Sequence, residues 1–369
     1  MAVQGQDRQD GELRERFYQS VAETLTLLHP AAGYDRRRAL LEVATTVVST
    51  MDLPLVWIGR RELGQSTLEL IAAGPAAEYA SVWPVSDDPR EPGGRGPAGA
   101  ALRDGRPQLA SIDSPGDADW QGSAHAYGLD SVIVAAAGTA DGGQLALAAY
   151  SRRGGPALTD ELLDWAQRLA DELARFWDDQ AQLERNLRLG RFRDAHRTIQ
   201  RALLAHPEPA AIYMTLANAL VKDAAASAVM VYVPEGEVLR REVGAGPLVE
   251  RLATLPEPPR QVDEPPMPVA TQAWMEGEPV VRLRPSAWPD VSLVWHGESL
   301  GEVAAIGCWP IFQTLPRDSG VEYHAAAVLL LAAAEIDAFD ADLWRLLDEI
   351  SDTVGLALRQ YSQRQALFR

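Results

Sequence analysis

The chain has 369 residues, of which 47% are hydrophobic and 23% are charged, and its formal net charge is −18. This length and composition are typical of a folded protein with two domains and exclude wholesale disorder. The acidic balance argues against nucleic acid and anionic membrane surfaces as partners, because proteins bind both through basic surfaces. The single cysteine, Cys308, excludes an internal disulfide and a cysteine-ligated metal site.

No apolar stretch is long enough to cross a membrane, and the polar residues 1–10 do not resemble a signal peptide. We therefore expect a cytoplasmic protein. The sequence also lacks a nucleophile elbow, a P-loop and a kinase signature, so no enzymatic activity is predicted.

The hydrophobic pattern of the first half predicts helices and paired strands separated by turns. The predicted elements are helices at 11–29 and 36–51, strands at 53–59 and 67–73, a short helix at 98–103, a strand at 107–111, a loop-and-helix excursion at 113–128, and strands at 131–137 and 145–150. A long helix begins at Thr159 and continues to Ala205, where His206-Pro207-Glu208-Pro209 marks a boundary.

The second half predicts the same order of elements. These are a helix at 210–222, strands at 226–233 and 238–243, a short helix at 270–275, strands at 301–309 and 326–332, and a final helix from 340. Residues 312–323 have no counterpart in the first half, so they are interpreted as an insertion.

The two halves also repeat each other in sequence at one offset. Residues 70–75 correspond to 242–247, and residues 98–107 correspond to 270–279, each 172 positions later. Matched positions are small, turn-forming or apolar, so the repeat conserves a backbone plan. Its length indicates one whole domain used twice. The predicted fold class is α+β, with two domains that each have a central antiparallel sheet and flanking helices.

The long helices carry narrow apolar stripes. Leu162, Ala166, Leu169, Leu173 and Phe176 are spaced 4-3-4-3, and the final helix continues the same spacing from Leu343 to Tyr361. Such seams are typical of helices that pair in parallel. They predict a homodimer through helices 159–206 and 340–369; the alternative is that each stripe packs on its own sheet.

Three segments of the first half resemble GAF domains of bacterial signalling proteins. They are Ala72 to Tyr79, the run from Gly94 to Pro107 that is similar to "G-R-G-P-x-G-x-A-x-x-x-G-x-P", and Ala126 to Ser131, which is similar to "Y-G-L-x-S". The second half lacks "G-R-G-P", and its assignment depends on the repeat. The resemblance is to the tandem GAF sensory region that accompanies diguanylate cyclase (GGDEF) domains.

This resemblance implies a domain layout. The predicted parts are an N-terminal helical segment at 1–35, a first GAF-like domain at 36–177, a linker helix at 178–208, a second GAF-like domain at 209–360, and the end of an exit helix at 361–369 that leads to a missing output domain.

The resemblance also implies a function. GAF domains bind small molecules or dimerise, and they pass a change to an output domain through an exit helix. We therefore expect a sensor that relays ligand binding to an output such as a diguanylate cyclase. The alternatives are a structural dimerisation module without a ligand, and a haem-based gas or redox sensor.

Six residues are the candidates for the ligand site. Tyr79, Trp83, Trp120, His125 and Tyr127 lie in the loops and excursion of the first domain, and Trp295 lies in the second. Aromatic side chains there suit the walls of a mostly apolar pocket, whereas the alternative is core filling. His125 is the candidate haem ligand. The match of residues 94–99 to G-x-G-x-x-G is interpreted as a loop-to-helix turn, because no strand precedes it. The sequence identifies neither the ligand nor a cofactor.

Overall fold

The computed structural model describes residues 15–16, 19–29, 31, 33, 35–113, 118–205, 208–224, 226–252, 257–263, 267–283, 303–317, 320–335 and 338–367. The chain divides into two compact units, Met1–Arg185 and Asn186–Arg369, here called unit 1 and unit 2. The division falls inside the segment 178–208 that the sequence predicts as a linker helix.

Unit 1 has one antiparallel sheet with the strand order β2-β1-β5-β4-β3. Its elements are α1 (Arg36–Met51), β1 (Leu55–Arg61), β2 (Glu69–Ala73), α2 (Tyr79–Val82), α3 (Pro97–Asp104), β3 (Gln108–Ser111), α4 (Ala118–Ala126), β4 (Leu129–Gly138), β5 (Gln144–Arg152) and the first part of α5 (Leu163–Leu203). Asp35 caps α1, because its side chain accepts a hydrogen bond from the backbone N–H of Arg37.

The two faces of this sheet carry separate cores, as the alternation of side chains along a strand requires. Val56 and Ile58 of β1 belong to the face that packs with α1 and α5. Leu55 and Trp57 belong to the opposite face, which also packs with residues of α2, α3 and α4. The candidate site lies on this second face.

Unit 2 repeats this topology with the strand order β7-β6-β10-β9-β8. Its elements are the last part of α5, α6 (Pro209–Lys222), β6 (Ala228–Glu235), β7 (Val238–Ala245), α7 (Val249–Leu252), α8 (Val269–Glu276), β8 (Val280–Leu283), β9 (Ala305–Arg317), β10 (Gly320–Ala333) and α9 (Ala341–Leu367). Asp340 precedes α9, and its carboxylate accepts a hydrogen bond from the backbone N–H of Leu343 at 2.9 Å.

The sequence repeat corresponds to a repeat in backbone conformation. Gly74 and Gly246 both have positive φ, at 106° and 110°, and a side chain on either would meet a backbone carbonyl within 3 Å. Gly105 and Gly277 end the short helices α3 and α8 with φ of 62° and 68°. Only glycine adopts these conformations at little cost. The conserved glycines therefore mark equivalent turns in both units.

Residues 312–317 and 320–323 lie in strands β9 and β10, which are longer than the equivalent strands β4 and β5 of unit 1. This agrees with the interpretation of the segment as an insertion. Strands β9 and β10 pair continuously from Ala305 opposite Ala333 to Arg317 opposite Gly320, with one irregularity between Ala325 and Ala327. The extra residues of β9 and β10 lengthen the hairpin that these strands form, because they pair with each other across the two strands.

The apolar stripes of the long helices are buried inside their own units. Leu169 and Leu173 are fully buried in the core of unit 1, and Leu347 and Ile350 are fully buried in the core of unit 2. The alternative interpretation, in which each stripe packs on its own sheet, thus accounts for the spacing. A homodimer through helices 159–206 and 340–369 stays a prediction, and it would need other residues as its seam.

Among the helices in the described residues, none is both long and apolar enough to span a membrane.

Candidate functional site

Five aromatic side chains meet on the second face of the unit 1 sheet. Trp57 of β1 and Tyr150 of β5 project from the sheet, Tyr79 begins α2, Trp120 lies on α4, and Tyr127 follows α4. We call these five residues the aromatic cluster. Small residues of β4 and β5, such as Ala136 and Ala148, leave room in the sheet for these rings.

Tyr79 occupies the centre of the aromatic cluster. Its ring makes edge-to-face contacts with Tyr127 at a centroid distance of 5.7 Å and with Tyr150 at 5.6 Å. The interplanar angles of 66° and 68° are those that aromatic pairs prefer, because the positive ring edge of one meets the negative face of the other.

The cluster holds uncharged hydroxyl groups away from water. Tyr79 is only 2% exposed. Its hydroxyl forms no hydrogen bond of normal geometry with the described residues, although the hydroxyl of Tyr150 and the indole of Trp120 lie close enough to influence its pKa. Burial, together with the neighbouring Tyr150, raises the pKa of Tyr79 far above its ordinary value. Burial also raises the pKa of Tyr150 to about 12, although the polar groups of Trp57, Tyr79 and Trp120 oppose the shift. Both tyrosines are therefore neutral near pH 7.

An unsatisfied buried hydroxyl costs about 1–3 kcal/mol in folding free energy. A buried hydroxyl without a hydrogen bond in a native interior needs an explanation, and one possible explanation is that the group serves a binding site. The hydroxyl of Tyr79 could donate to, or accept from, a ligand that displaces a neighbouring ring.

Four of the six residues predicted from the sequence meet in this region. Tyr79 and Trp120 are buried within the aromatic cluster, and Trp83 and Tyr127 are partly buried and pack against the same core. Trp295 lies outside the described residues. The role of all these side chains in ligand binding stays a prediction.

His125 does not join the aromatic cluster. Its side chain is 49% exposed, and its Nε2 atom lies 3.0 Å from a carboxylate oxygen of Asp113. For His125 to ligate a haem in the interior, its side chain would have to leave Asp113 and turn towards the core. The geometry therefore offers no support for His125 as a haem ligand, which stays a prediction.

Sequence reasoning missed Trp57 and Tyr150. The signal was present in the strands, because Tyr150 is the single aromatic residue of a strand otherwise rich in alanine. The strand register sets Leu55 opposite Tyr150 and Trp57 opposite Ala148. Residues two apart share a face, so a correct register would have placed Trp57 and Tyr150 on the loop side.

The glycine-rich segment 94–99 contains the turn before α3 and the first residues of that helix. Arg103 of α3 reaches back and donates hydrogen bonds to the backbone carbonyls of Gly94 at 2.7 Å and Asp87 at 3.0 Å. Pro97 is the first residue of the helix, a position that proline favours. These contacts agree with a loop-to-helix turn.

The described residues contain no group of three or more histidine, cysteine or acidic side chains placed to hold a metal ion. Cys308 is buried, and burial raises the pKa of its thiol. A thiol in this state reacts poorly, because the thiolate is the reactive form.

No family model matches the sequence, and no curated protein matches it. Among solved structures, the chain is similar to the bacteriophytochrome RpBphP3 from the photosynthetic bacterium R. palustris. The TM-score is 0.56 and the identity 10%, over 93% of this chain and 75% of that chain. The expected α+β fold, with two units that each have a central antiparallel sheet and flanking helices, is confirmed. At this identity the similarity shows the fold alone.

Two shorter structures also match, each over about half of the chain. The nlh2 GAF domain of A. Aeolicus has a TM-score of 0.35 and 11% identity, over 46% of this chain and 96% of that chain. The free methionine-R-sulfoxide reductase of Neisseria meningitidis, solved with its substrate, has a TM-score of 0.35 and 18% identity, over 47% of this chain and 91% of that chain. At these low TM-scores, neither structure indicates a function for this chain.

Proposed function

We propose that the chain is a regulatory sensor module that binds a small molecule within the aromatic cluster of unit 1. Binding is relayed through α5, unit 2 and α9 to an output domain, for which a diguanylate cyclase is our candidate. The observation that carries this proposal is the buried hydroxyl of Tyr79 at the centre of the aromatic cluster.

The secondary-structure elements that carry the cluster side chains would allow the aromatic cluster to open around a ligand. Trp57 and Tyr150 belong to paired strands, which hold them in place. Tyr79 belongs to the four-residue helix α2, and Trp120 belongs to α4. Short elements between loops open at a lower free-energy cost than a central sheet. A ligand that is mostly apolar, with one polar group for Tyr79, would replace the contacts that the displaced rings lose.

The same sheet supports a route from the cluster to α5. Tyr150 and Ala149 are neighbours on β5, and Ala149 packs in the core that contains Leu169 and Leu173 of α5. A ligand that shifts Tyr150 would therefore bias the strand on which α5 packs. The signal would be a change in the populations of two helix arrangements.

A structural module without a ligand is the second candidate function. The observation that favours it is that the rings of the aromatic cluster fill their own interior, with Trp57, Tyr79 and Trp120 all buried. Under this alternative the cluster serves only as the core of unit 1.

Thermal unfolding of the full chain separates the two functions. The probe is a deproteinised metabolite extract of the expression host, added before melting. The sensor proposal predicts a rise in the melting temperature that Trp120→Phe reduces. Trp177→Phe is the matched control, because Trp177 packs on the opposite face of the sheet, and it should keep the rise. Equal responses of both variants, or no rise with the native chain, would favour the structural module.

A further inference from the structure

Trp177 of α5 contacts two arginine side chains on the face of the unit 1 sheet opposite the aromatic cluster. The guanidinium carbon of Arg36, from α1, lies 4.5 Å from the centre of the indole ring, and that of Arg60, from β1, lies 4.4 Å away. Both distances are within the roughly 6 Å over which an aromatic face attracts a cation. The indole therefore connects α5 with a helix and with an inner strand of the sheet.

Carboxylates hold both arginines in place. Arg36 pairs with Glu184 of α5 at 2.7 Å, and Arg60 pairs with Asp141 in the turn between β4 and β5. The side chain of Arg60 is only 16% exposed, so water screens its contacts less than those of a surface ion pair. The guanidinium of Arg60 thus joins the ring on α5 to the hairpin turn.

The hairpin turn also bonds directly to α5. The backbone N–H of Ala140 donates to both carboxylate oxygens of Asp178, each at 3.0 Å. Asp141 fixes the shape of this turn, because its carboxylate accepts hydrogen bonds from the hydroxyl of Thr139 at 2.6 Å and from the backbone N–H of Gly143 at 3.0 Å. A movement of the turn would therefore act on α5 at Asp178.

The strands that reach these contacts also carry two rings of the aromatic cluster. Arg60 lies three residues after Trp57 on β1, and the hairpin turn leads into β5, which carries Tyr150. β1 pairs with β5 over its whole length. Packed and hydrogen-bonded elements of this kind can carry energetic coupling from one face of a sheet to the other.

We propose that Arg60, Asp141, Trp177 and Asp178 form a clamp that makes β1, the hairpin turn and the last turns of α5 in unit 1 move as one body. We call these four residues the α5 clamp, and Trp177 is its positioning residue. The clamp acts close to Arg185, where unit 1 ends. Its part in signalling rests on the sensor function proposed above, whereas the mechanical coupling requires no ligand.

Hydrogen–deuterium exchange of the full chain, read by mass spectrometry, tests this coupling in the peptides 138–145 and 176–185. Trp177→Leu should raise exchange in both peptides by about 2- to 30-fold, the factor that corresponds to the loss of a cation–π contact. Arg60→Gln should also raise exchange in both. Arg38→Gln is the matched control, since Arg38 is an exposed arginine of α1 that pairs with Glu42, and it should change neither peptide.

A change on the other face of β1 tests the connection to the aromatic cluster. Trp57 packs in the core of that face, so Trp57→Phe changes no residue of the clamp. It should raise exchange in 176–185 in the native background, and this increase should be lost in a chain that also carries Trp177→Leu. Circular dichroism confirms that each variant is folded. Tyr150→Phe supplies the same kind of change from β5 if Trp57→Phe does not fold.

The proposal is overturned if Trp177→Leu raises exchange only in 176–185 and Arg60→Gln only in 138–145, because the contacts would then be independent. It is also overturned if the cluster variant leaves 176–185 unchanged, or if its effect persists in full beside Trp177→Leu. These measurements use no ligand, so failure of the sensor function would not alter them. Failure of the clamp would likewise leave the ligand-dependent rise in melting temperature intact.

Discussion

At the scale of single residues, the central feature is a tyrosine hydroxyl buried without a hydrogen bond of normal geometry. The sequence placed Tyr79 and Trp120 in the loops of the first domain, and the structure brings both into one cluster. It did not place Trp57 and Tyr150 there, because the choice of face depends on a strand register that local pattern leaves open by one residue. His125 was grouped with them because it lies in the predicted excursion at 113–128, whereas the structure pairs its exposed side chain with Asp113.

The buried hydroxyl leads to a prediction for Tyr79→Phe. Removing a hydroxyl without a hydrogen-bond partner should leave the free energy of unfolding of the ligand-free protein unchanged or raise it, by up to about 1–3 kcal/mol. Chemical denaturation followed by circular dichroism measures this change. Tyr127→Phe is the matched control, since Tyr127 is only partly buried, and a change near zero is expected. A loss of more than about 1 kcal/mol for Tyr79→Phe would mean that the hydroxyl is satisfied in solution.

A second residue-scale prediction concerns Asp348 of α9. Burial and the neighbouring Asp352 raise its pKa, while the indole of Trp309 opposes the shift. An acid with a raised pKa in the folded state makes folding less favourable as the pH rises from its usual value of 3.8 through the folded value, and this cost persists at higher pH.

Asp348→Asn should therefore increase the free energy of unfolding at pH 7.5, and this gain should shrink as the pH falls towards 4. Urea unfolding at the two pH values measures it. Asp194→Asn, at an exposed position of unit 2, should show no gain at pH 7.5. The same gain at both pH values would show that removal of the charge is not the cause.

At the scale of elements, helices and strands followed from periodicity, but two features required tertiary information. The stripe of Leu169 and Leu173 suggested a seam between two copies, although the structure buries it on a sheet of the same chain. A 4-3-4-3 spacing of apolar residues shows that a helix has one apolar face, but it does not identify the surface that covers this face. The sequence predicted the insertion at 312–323 but not that its residues would extend two paired strands, since strand extension is set by cross-strand pairing.

Helix α9 approaches β9 closely at one glycine, which gives an element-scale prediction. A Cβ atom on Gly355 would lie 2.1 Å from the backbone carbonyl oxygen of Phe312. Gly355→Ala should thus force α9 away from β9 and lower the free energy of unfolding by about 1–3 kcal/mol. Thermal or urea unfolding provides the measurement.

Gly190 in α5 is the matched control for this substitution. Nothing lies within 4 Å of its Cβ position, so Gly190→Ala should raise stability by about 0.5–1 kcal/mol through helix propensity alone. A similar gain for Gly355→Ala would contradict the close packing of α9 on β9.

At the scale of the whole molecule, the sequence repeat alone predicted an architecture of two similar domains. Matching glycine and apolar positions recur 172 residues apart, which implied that one domain is used twice. The structure agrees, because both sheets have the same strand order. What the repeat could not predict is the difference between the interiors of the two units. Pocket chemistry depends on a few side chains at non-repeating positions, such as Tyr79 in unit 1.

The buried stripes predict how each unit responds to a charge in its core. Leu173→Asp should unfold unit 1, and Ile350→Asp should unfold unit 2, because each would bury an unpaired carboxylate. Limited proteolysis with mass mapping identifies the unit that is lost. Leu187→Asp, at an exposed position of α5, is the control and should leave both units protected. If Leu173→Asp changed only the oligomeric state, the stripe would be a seam between copies.

The most direct test of the central claim is native mass spectrometry of the full chain, purified from cells without a denaturing step. If the aromatic cluster is a ligand chamber, the native mass should exceed that of the 40.1 kDa chain, or of its oligomer, by the mass of a small molecule. Denaturation should release this molecule, and Trp120→Phe should lower its occupancy. A native mass equal to that of the chain alone, with an identical result for Trp120→Phe, would contradict the ligand chamber and leave the cluster as the core of a structural module.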